Sequence, residues 1–285
     1  MDKVKIVVFK CGNIASSPLF ELLLDELADR KDIDTRTIGT GSKMTVESVQ
    51  ETLPKALELH PNMLILICPN PAIGGPAKVR ETLSKNGVPC VVVSDSPAKR
   101  IKEEIAEQGL GYIIVNGDPL IGARREFLDP IEMAIFNSNI LKVLAITGAY
   151  RIIQEEMDNM INALKTDSSI VLPKLIISIE KIRTRSDFVN PYARAKAMAA
   201  YALTEKIAEI NFKACFVEKN PDKYISLAAS AHEIAQVAAA LAEEAREIEK
   251  SNDSVVRRPH SKSGKLKTKT KLLDLPTNVE QSTVE

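Results

Sequence analysis

At 285 residues the chain is long enough for one large domain or two smaller ones, with ample core. Lysine plus arginine equals aspartate plus glutamate at 38 each, so net charge argues neither for nor against a polyanionic partner. Aromatic residues are few and no basic, aromatic-interleaved face appears in the folded part, which disfavours nucleic acid, and no apolar run approaches the ~20 residues of a membrane span.

Residues 4–9 are a β-branched apolar run, the pattern of a strand buried on both faces. Lys10-Cys11-Gly12-Asn13 then begins a tight polar turn that ends at Ser17-Pro18 and leads into helical apolar spacing over residues 19–30. Ser17 is placed to cap that helix and Pro18 to take its first position. A strand, a turn and a helix start in succession form the place where an open α/β sheet presents backbone N–H groups to ligands; an ordinary connecting loop is the competing reading.

A second strand is expected over 34–38, a helix over 46–59 and a strongly apolar central strand over 63–68. That strand runs into Pro69-Asn70-Pro71-Ala72, a loop stiffened by prolines and opened by Gly74 and Gly75. A helix over 77–86, a strand over 90–93, a helix from Ser96-Pro97 to about 108 and a strand over 111–115 complete the series. Strand–helix repeats with short links predict a doubly wound parallel sheet over residues 1–128.

The pattern then changes to a helix bundle over 129–273. Asp129-Pro130-Ile131-Glu132 has a cap, a proline at the first helical position and an acidic residue at the third. The helix it opens is expected to reach about 165, with a break near Gly148. A strand-like run over 175–178 and another over 212–217 are expected to pair as a small antiparallel sheet. Between and after them lie alanine-rich helices over 191–210 and 226–250, suited to close helix packing or to an oligomer interface. Residues 257–271 form a basic run fit for a small surface hairpin, and 274–285 read as a disordered tail.

The four cysteines, Cys11, Cys68, Cys90 and Cys215, form no CxxC pair, and no secretory leader pattern opens the sequence. A reduced, cytoplasmic protein is the expectation. No metal site is expected, since ligand spacing is absent; His232-Glu233 lacks the second histidine of H-E-x-x-H, because Gln236 stands there. Neither the dinucleotide glycine fingerprint nor a P-loop occurs. Cys11 is a minor candidate nucleophile, because a turn before a helix start lowers thiol pKa. Three loops, 10–17, 69–76 and 118–129, converge at the carboxyl edge of the expected sheet. The residues alone thus give a ligand crevice with few acid–base groups, compatible with hydride transfer and equally with simple ligand binding.

Further motifs narrow this. Lys10-Cys11-Gly12-Asn13, Pro69-Asn70-Pro71-Ala72, Gly109-Leu110-Gly111-Tyr112-Ile113, Gly122-Ala123-Arg124-Arg125-Glu126-Phe127-Leu128-Asp129-Pro130, Ala229-Ser230-Ala231-His232-Glu233 and Glu249-Lys250-Ser251-Asn252-Asp253 occur in this order. Together they closely resemble the deazaflavin-dependent methylenetetrahydromethanopterin dehydrogenases of methanogenic and related archaea, from about residue 3 to about 271. The resemblance implies reversible hydride transfer between methylene-tetrahydromethanopterin and coenzyme F(420), with no flavin, nicotinamide or metal. It implies an α/β domain, a helix bundle and a small sheet, assembled as homohexamers built from dimers. It also suggests that Lys10, Cys11, Gly12, Asn13, Asn70, Pro71 and Ala72 line the deazaflavin or pterin crevice. Arg124, Glu126, Asp129, His232 and Glu233 become candidates for orienting the substrate's polar parts. No catalytic acid or base is singled out. A nicotinamide-dependent reductase without the fingerprint and a non-catalytic ligand-binding protein remain the alternatives.

Overall fold

Apolar runs of five to seven residues between amphipathic segments form strands here because their side chains find cover on both faces. The computed structural model describes residues 3–14, 16–26, 29–117, 129–166 and 168–279. In chain order the elements are β1 (Val4–Lys10), α1 (Ser17–Glu26), β2 (Ile33–Gly39), α2 (Val46–Leu57), β3 (Met63–Cys68), α3 (Gly74–Asn86) and β4 (Cys90–Ser94). A 3-10 turn (Ser96–Ile101) leads into α4 (Lys102–Glu107), followed by β5 (Gly111–Val115), α5 (Pro130–Thr147), α6 (Ala149–Lys165), β6 (Lys174–Ile177) and α7 (Ile179–Arg185). The chain continues with α8 (Pro191–Phe212), a wide π-type turn (Lys213–Val217), α9 (Pro221–Ser251), β7 (Lys267–Thr268) and β8 (Thr277–Asn278).

Six strands make one sheet in the order β2-β1-β3-β4-β5-β6, and every neighbouring pair is parallel. Every residue of β3 and β4 is buried, which explains their unbroken apolar sequences. One face of the sheet, with Ile6, Val8, Ile65, Ile67, Val91, Val93 and Ile113, shares a core with residues of α1, α5, α6, α8 and α9. The other, with Val7, Phe9, Leu64, Leu66 and Val92, packs against α2, α3 and α4. The bundle therefore forms an outer layer of the sheet, and the chain on either side of residue 129 contributes to one core.

Several local expectations need correction. The strand near residue 175 does not pair with residues 212–217. As β6 it adds to the parallel sheet, with Ile113 beside Leu175 and Val115 beside Ile177, and Tyr201 Oη on α8 donates to the Ile177 carbonyl at 2.9 Å. Residues 212–217 are helical; the aromatic spacing that resembles a strand instead stacks Phe212 on Phe216 across the π-type turn, with centroids 5.6 Å apart. The small antiparallel sheet is β7–β8, so the segment from Asp274 that reads as a tail holds a paired strand at Thr277–Asn278. The basic run does double back, with antiparallel bridges Arg257–Lys269 and His260–Leu266.

Helix starts follow the caps closely. Asp129 Oδ1 accepts from the Glu132 N–H at 2.8 Å, and Gly148, with φ of 100°, breaks α5 from α6. In α1, by contrast, the Leu19 and Phe20 N–H groups bond to the Ser16 carbonyl at 2.9 and 3.2 Å, so Ser16 takes the cap position and the helix begins at Ser17, one residue earlier than expected. Among the described residues α9 has the length and mean hydropathy (1.3) of a membrane span, contrary to the reading of the sequence. Its apolar character comes largely from alanines such as Ala231, Ala235, Ala238 and Ala242, which are buried in the same cores as residues of α5 and α8.

Candidate functional site

Strand order reverses between β1 and β3, and the loops leaving their carboxyl ends diverge there. At the end of β1, Cys11 N–H donates to the Ile67 carbonyl at 2.9 Å, which ties the first turn to β3. Gly12 follows with φ of 85°, and a Cβ there would lie 2.7 Å from Met44 Sδ and 3.2 Å from Pro69 Cδ. Glycine is thus required both for its left-handed backbone and for the closeness of two other loops.

The loop after β3 is held from behind. Arg80 is 2 % exposed, and its Nε donates to the Pro71 carbonyl at 2.9 Å, while its two terminal nitrogens reach Gln108 and Glu104 at 2.6 and 2.9 Å. Asn70 Oδ1 accepts from the Ala72 N–H at 3.0 Å, closing an Asx turn. This network leaves the front of the loop facing a cavity.

That cavity has a volume of about 370 Å³. Its floor is made by the carboxyl ends of three strands, through Pro69, Asn70, Asp95 and Asn116; the opposing wall is the end of α8 and its π-type turn, through Glu205, Phe212 and Phe216. Met44, Lys99 and Arg100 are also in the lining. Arg100 lies over the Phe212 ring at 5.0 Å from its centroid. A planar heterocycle suits such a space, since aromatic faces can stack on it and a few polar groups can fix its edge. Asn116 is buried, its Nδ2 donates to Glu205 Oε1 at 3.1 Å, and its Oδ1 is buried with no donor among the described residues.

A family model described as methylene-5,6,7,8-tetrahydromethanopterin dehydrogenase matches residues 4–277. The chain belongs to this dehydrogenase family. It is 52 % identical over 274 residues to the F(420)-dependent methylenetetrahydromethanopterin dehydrogenase of Methanocaldococcus jannaschii, covering 96 % of this chain and 99 % of that one. The enzyme of the same description from Methanothermobacter marburgensis is 52 % identical over 273 residues, with the same coverage. A solved structure of an F(420)-dependent methylene-tetrahydromethanopterin dehydrogenase, in complex with methylene-tetrahydromethanopterin and the coenzyme, superposes with a TM-score of 0.92 at 45 % identity. It covers 97 % of this chain and all of its own.

Within this dehydrogenase fold the anticipated residues separate. Asn70 lines the cavity, and Gly12 packs against two of its lining residues, Met44 and Pro69. Pro71 is buried behind the loop, whereas Asn13 and Ala72 are exposed. Lys10 forms an ion pair with Glu21 at 2.8 Å. Cys11 is wholly buried, and burial pushes its thiol up to about 11 despite a hydrogen bond with Thr40. Burial outweighs the turn, so the minor nucleophile reading is dropped. Arg124 and Glu126 fall outside the described residues. Asp129, His232 and Glu233 do not line the cavity. His232 lies between α9 and α5, with Nδ1 3.5 Å from Glu132 Oε2 and its ring centroid 4.6 Å from that of Phe136. Burial lowers its pKa, with Glu132 acting in the opposite direction.

Asn116, Glu205, Arg100, Phe212 and Phe216 were not anticipated. Asn116 had a readable signal, since it directly follows a strand and precedes a glycine. The others sit in helices or turns whose sequence gives no hint that they meet the sheet.

Proposed function

We propose that the protein is an oxidoreductase that moves a hydride reversibly between methylene-tetrahydromethanopterin and the deazaflavin coenzyme F(420), forming methenyl-tetrahydromethanopterin and reduced coenzyme. The observation that carries this reading is the near-full-length likeness to a structure solved with both compounds. When both are bound, the methylene carbon supplies the hydride, C-5 of the deazaflavin accepts it, and a proton completes the coenzyme's reduction. The protein's task is to bring two rings into reach and hold them there. Arg80 and Asn70 fix the shape of the 69–74 loop, Gly12 keeps the β1 turn against it, and Phe212 and Phe216 offer aromatic faces. Lys10, Cys11, Asn13, Pro71 and Ala72 belong to the same two loops and are assigned to shaping the crevice.

Arg124 and Glu126, in the segment after Gly117, together with Asp129, His232 and Glu233, are assigned to orienting the polar parts of the carrier. His232→Gln and Glu126→Gln then cut turnover without unfolding the protein; wild-type rates for both would remove that assignment. The reading also includes a homohexamer built from dimers, working in the cytoplasm in methane formation or its reversal without flavin, nicotinamide or metal. Exposed Ile131 and Ile135, one turn apart on α5, with Val189 and Tyr192 at the start of α8, support an interface between copies.

The test mixes the purified protein with methylene-tetrahydromethanopterin and oxidised coenzyme F(420), following loss of the deazaflavin's visible absorbance, with NAD and NADP as controls. Bleaching with the deazaflavin alone is expected. A signal with a nicotinamide would indicate a reductase of another kind, and binding without bleaching a non-catalytic protein.

A further inference from the structure

Charge is unevenly matched in a second cavity, of about 610 Å³, where the hairpin of residues 257–269 crosses the end of α9 and the α5–α6 corner. Five cationic side chains are in its lining but only two carboxylates, Asp187 and Glu249. Three of the cations are already engaged. Arg151 reaches Glu155 at 3.2 Å, Arg258 reaches Asp187 at 2.7 Å, and Lys269 Nζ donates to the Leu272 carbonyl at 2.7 Å. Glu249 is committed as well, since it accepts from the Asn190 N–H at 2.7 Å and is bonded to Ser254.

The remaining two cations are Arg246 on α9 and Arg257 on the hairpin. Neither side chain has an ion pair or a hydrogen bond among the described residues. They also repel each other: burial, and then the charge of Arg257, push the half-buried Arg246 below its ordinary pKa. Arg257 is exposed, so its N–H groups can be reached from solvent. The packing of the hairpin on α9 holds two guanidiniums at one cavity without a carboxylate between them, and an anion there would relieve their repulsion.

A second, independent feature points the same way. Helix α6 begins at this cavity, with Gly148, Tyr150 and Arg151 in the lining. Side chains of Asp129, Asn190 and Asn220 close the starts of α5, α8 and α9. The cap of α6 is Gly148, which has no side chain to accept a hydrogen bond, and its first turn carries no acidic residue. The N–H groups that open this 17-residue helix therefore present partial positive charge with no side chain answering it. Such a helix start beside arginines is an arrangement that receives phosphate groups.

We propose that this cavity is a second binding site, for a phosphate-bearing anion held by Arg246, Arg257 and the open start of α6. It is separate from the crevice at the sheet edge. Phe188, just before α8, lines the one and Phe212, at the far end of α8, lines the other, so the 22 residues of that helix set them about 30 Å apart. The anion bridges the hairpin, α9 and α6, and ties the three together without entering the hydride chemistry. Its source is either free phosphate or an organic phosphate whose apolar part meets the Ile146, Phe188 and Val255 wall.

The experiment uses the full chain with neither substrate present. Calorimetry measures the Kd of inorganic phosphate and of adenosine 5′-monophosphate, each at an ionic strength fixed with chloride so that general screening is constant. Wild type is expected to bind, and its melting temperature to rise by about 4 °C at a hundredfold excess over Kd. Tighter binding of the nucleotide assigns the site to an organic phosphate, and equal binding to the free ion. Arg257→Gln changes an exposed residue with no ion pair, so the fold survives while Kd rises about tenfold. Arg246→Gln together with Arg257→Gln removes the thermal shift, and KM for the carrier and for the deazaflavin stays within about twofold in both variants. Binding of neither anion by wild type overturns the proposal, as does binding that the double variant retains. A raised KM for either substrate overturns it too, by making the cavity part of the substrate site. The binding measurements need no hydride transfer, so this proposal and the functional reading fail independently.

Discussion

Two of the cavities among the described residues differ in how their polar side chains are used. The larger, about 610 Å³, lies where the basic hairpin crosses the end of α9 and the α5–α6 corner. Around it Arg151 reaches Glu155 at 3.2 Å, Arg258 reaches Asp187 at 2.7 Å, and Glu249 accepts from the Asn190 N–H at 2.7 Å and is also bonded to Ser254. Nearby, His260 Nε2 stands 3.0 Å from Asp158 of α6 and the Lys31 N–H donates to the Lys262 carbonyl at 2.9 Å, fastening the same hairpin to α6 and to the start of β2, where Arg30 is paired with Asp32 at 2.8 Å. The smaller cavity at the sheet edge has Asn116 in its lining, whose Oδ1 has no donor among the described residues. Ion pairs hold a strap in place around the larger cavity, although Arg151 Nε there also lacks a hydrogen-bond acceptor among the described residues, whereas the smaller one leaves a neutral amide oxygen without a donor.

The strongest test breaks the strap. Arg30→Met removes a guanidinium whose side chain is 3 % exposed and leaves Asp32 and Asp158 short of their partner. Stability should fall by about 3 kcal/mol in denaturant titrations, with both KM values unchanged. The same variant has a pH signature. Hydrogen bonding from Arg30, aided by Lys165, holds the Asp32 carboxyl well below its ordinary value of 3.8. That stabilisation is complete above the ordinary value and is lost as pH falls through the range beneath it. Wild type therefore loses stability on acidification more steeply than Arg30→Met.

Next in size is a break in the crevice itself. Gly12→Ala forces a left-handed backbone on a residue with a side chain, costing about 1–2 kcal/mol, and pushes Met44 and Pro69. Unlike the strap variant, it should reduce kcat/KM in the deazaflavin bleaching assay by more than its loss of stability explains. Arg80→Lys is a milder form of the same break. A lysine cannot reach Pro71, Gln108 and Glu104 at once, so the 69–74 loop loosens, stability falls by about 1 kcal/mol and KM rises with little change in kcat.

The smallest effects sharpen the boundary of the site. Cys11→Ser should leave kcat unchanged, and alkylating reagents should react with Cys11 slowly at neutral pH, because burial keeps its thiol protonated up to about 11. By linkage, a thiol raised from 9.0 makes the folded state lose stability as pH climbs beyond that value, where the unfolded chain ionises first. Cys11→Ser should flatten this alkaline decline. Lys10→Met removes only a part-exposed ion pair with Glu21, worth about 0.5 kcal/mol in thermal melts.

Much of this architecture was legible locally. The sequences of β1, β3, β4 and β5 have few other uses, since β-branched runs with no polar face must be covered on both sides. Caps are equally local: Asp129 bonds to the N–H three residues on, and Asn190 to those of Tyr192 and Ala193. Gly12 could be read as a special position because left-handed turns favour glycine. The destination of β6 could not, since a four-residue strand pairs as readily with a neighbour as with a distant edge. The choice depends on how α5 and α6 carry the chain back to β5. Phe212 and Phe216 look like alternating strand residues until α8 continues into the π-type turn beneath them.

The sequence by itself therefore determined the parallel sheet, the helix bundle, the family and the two loops nearest the strand reversal. Each of these follows from residues close together in the chain, or from short motifs in a fixed order. Only the tertiary structure brought Glu205 to Asn116, 89 positions apart, and left one amide oxygen without a donor among the described residues at their meeting point. A hydrogen bond between a strand end and a helix depends on where two separately encoded elements are packed, and no local pattern specifies that distance.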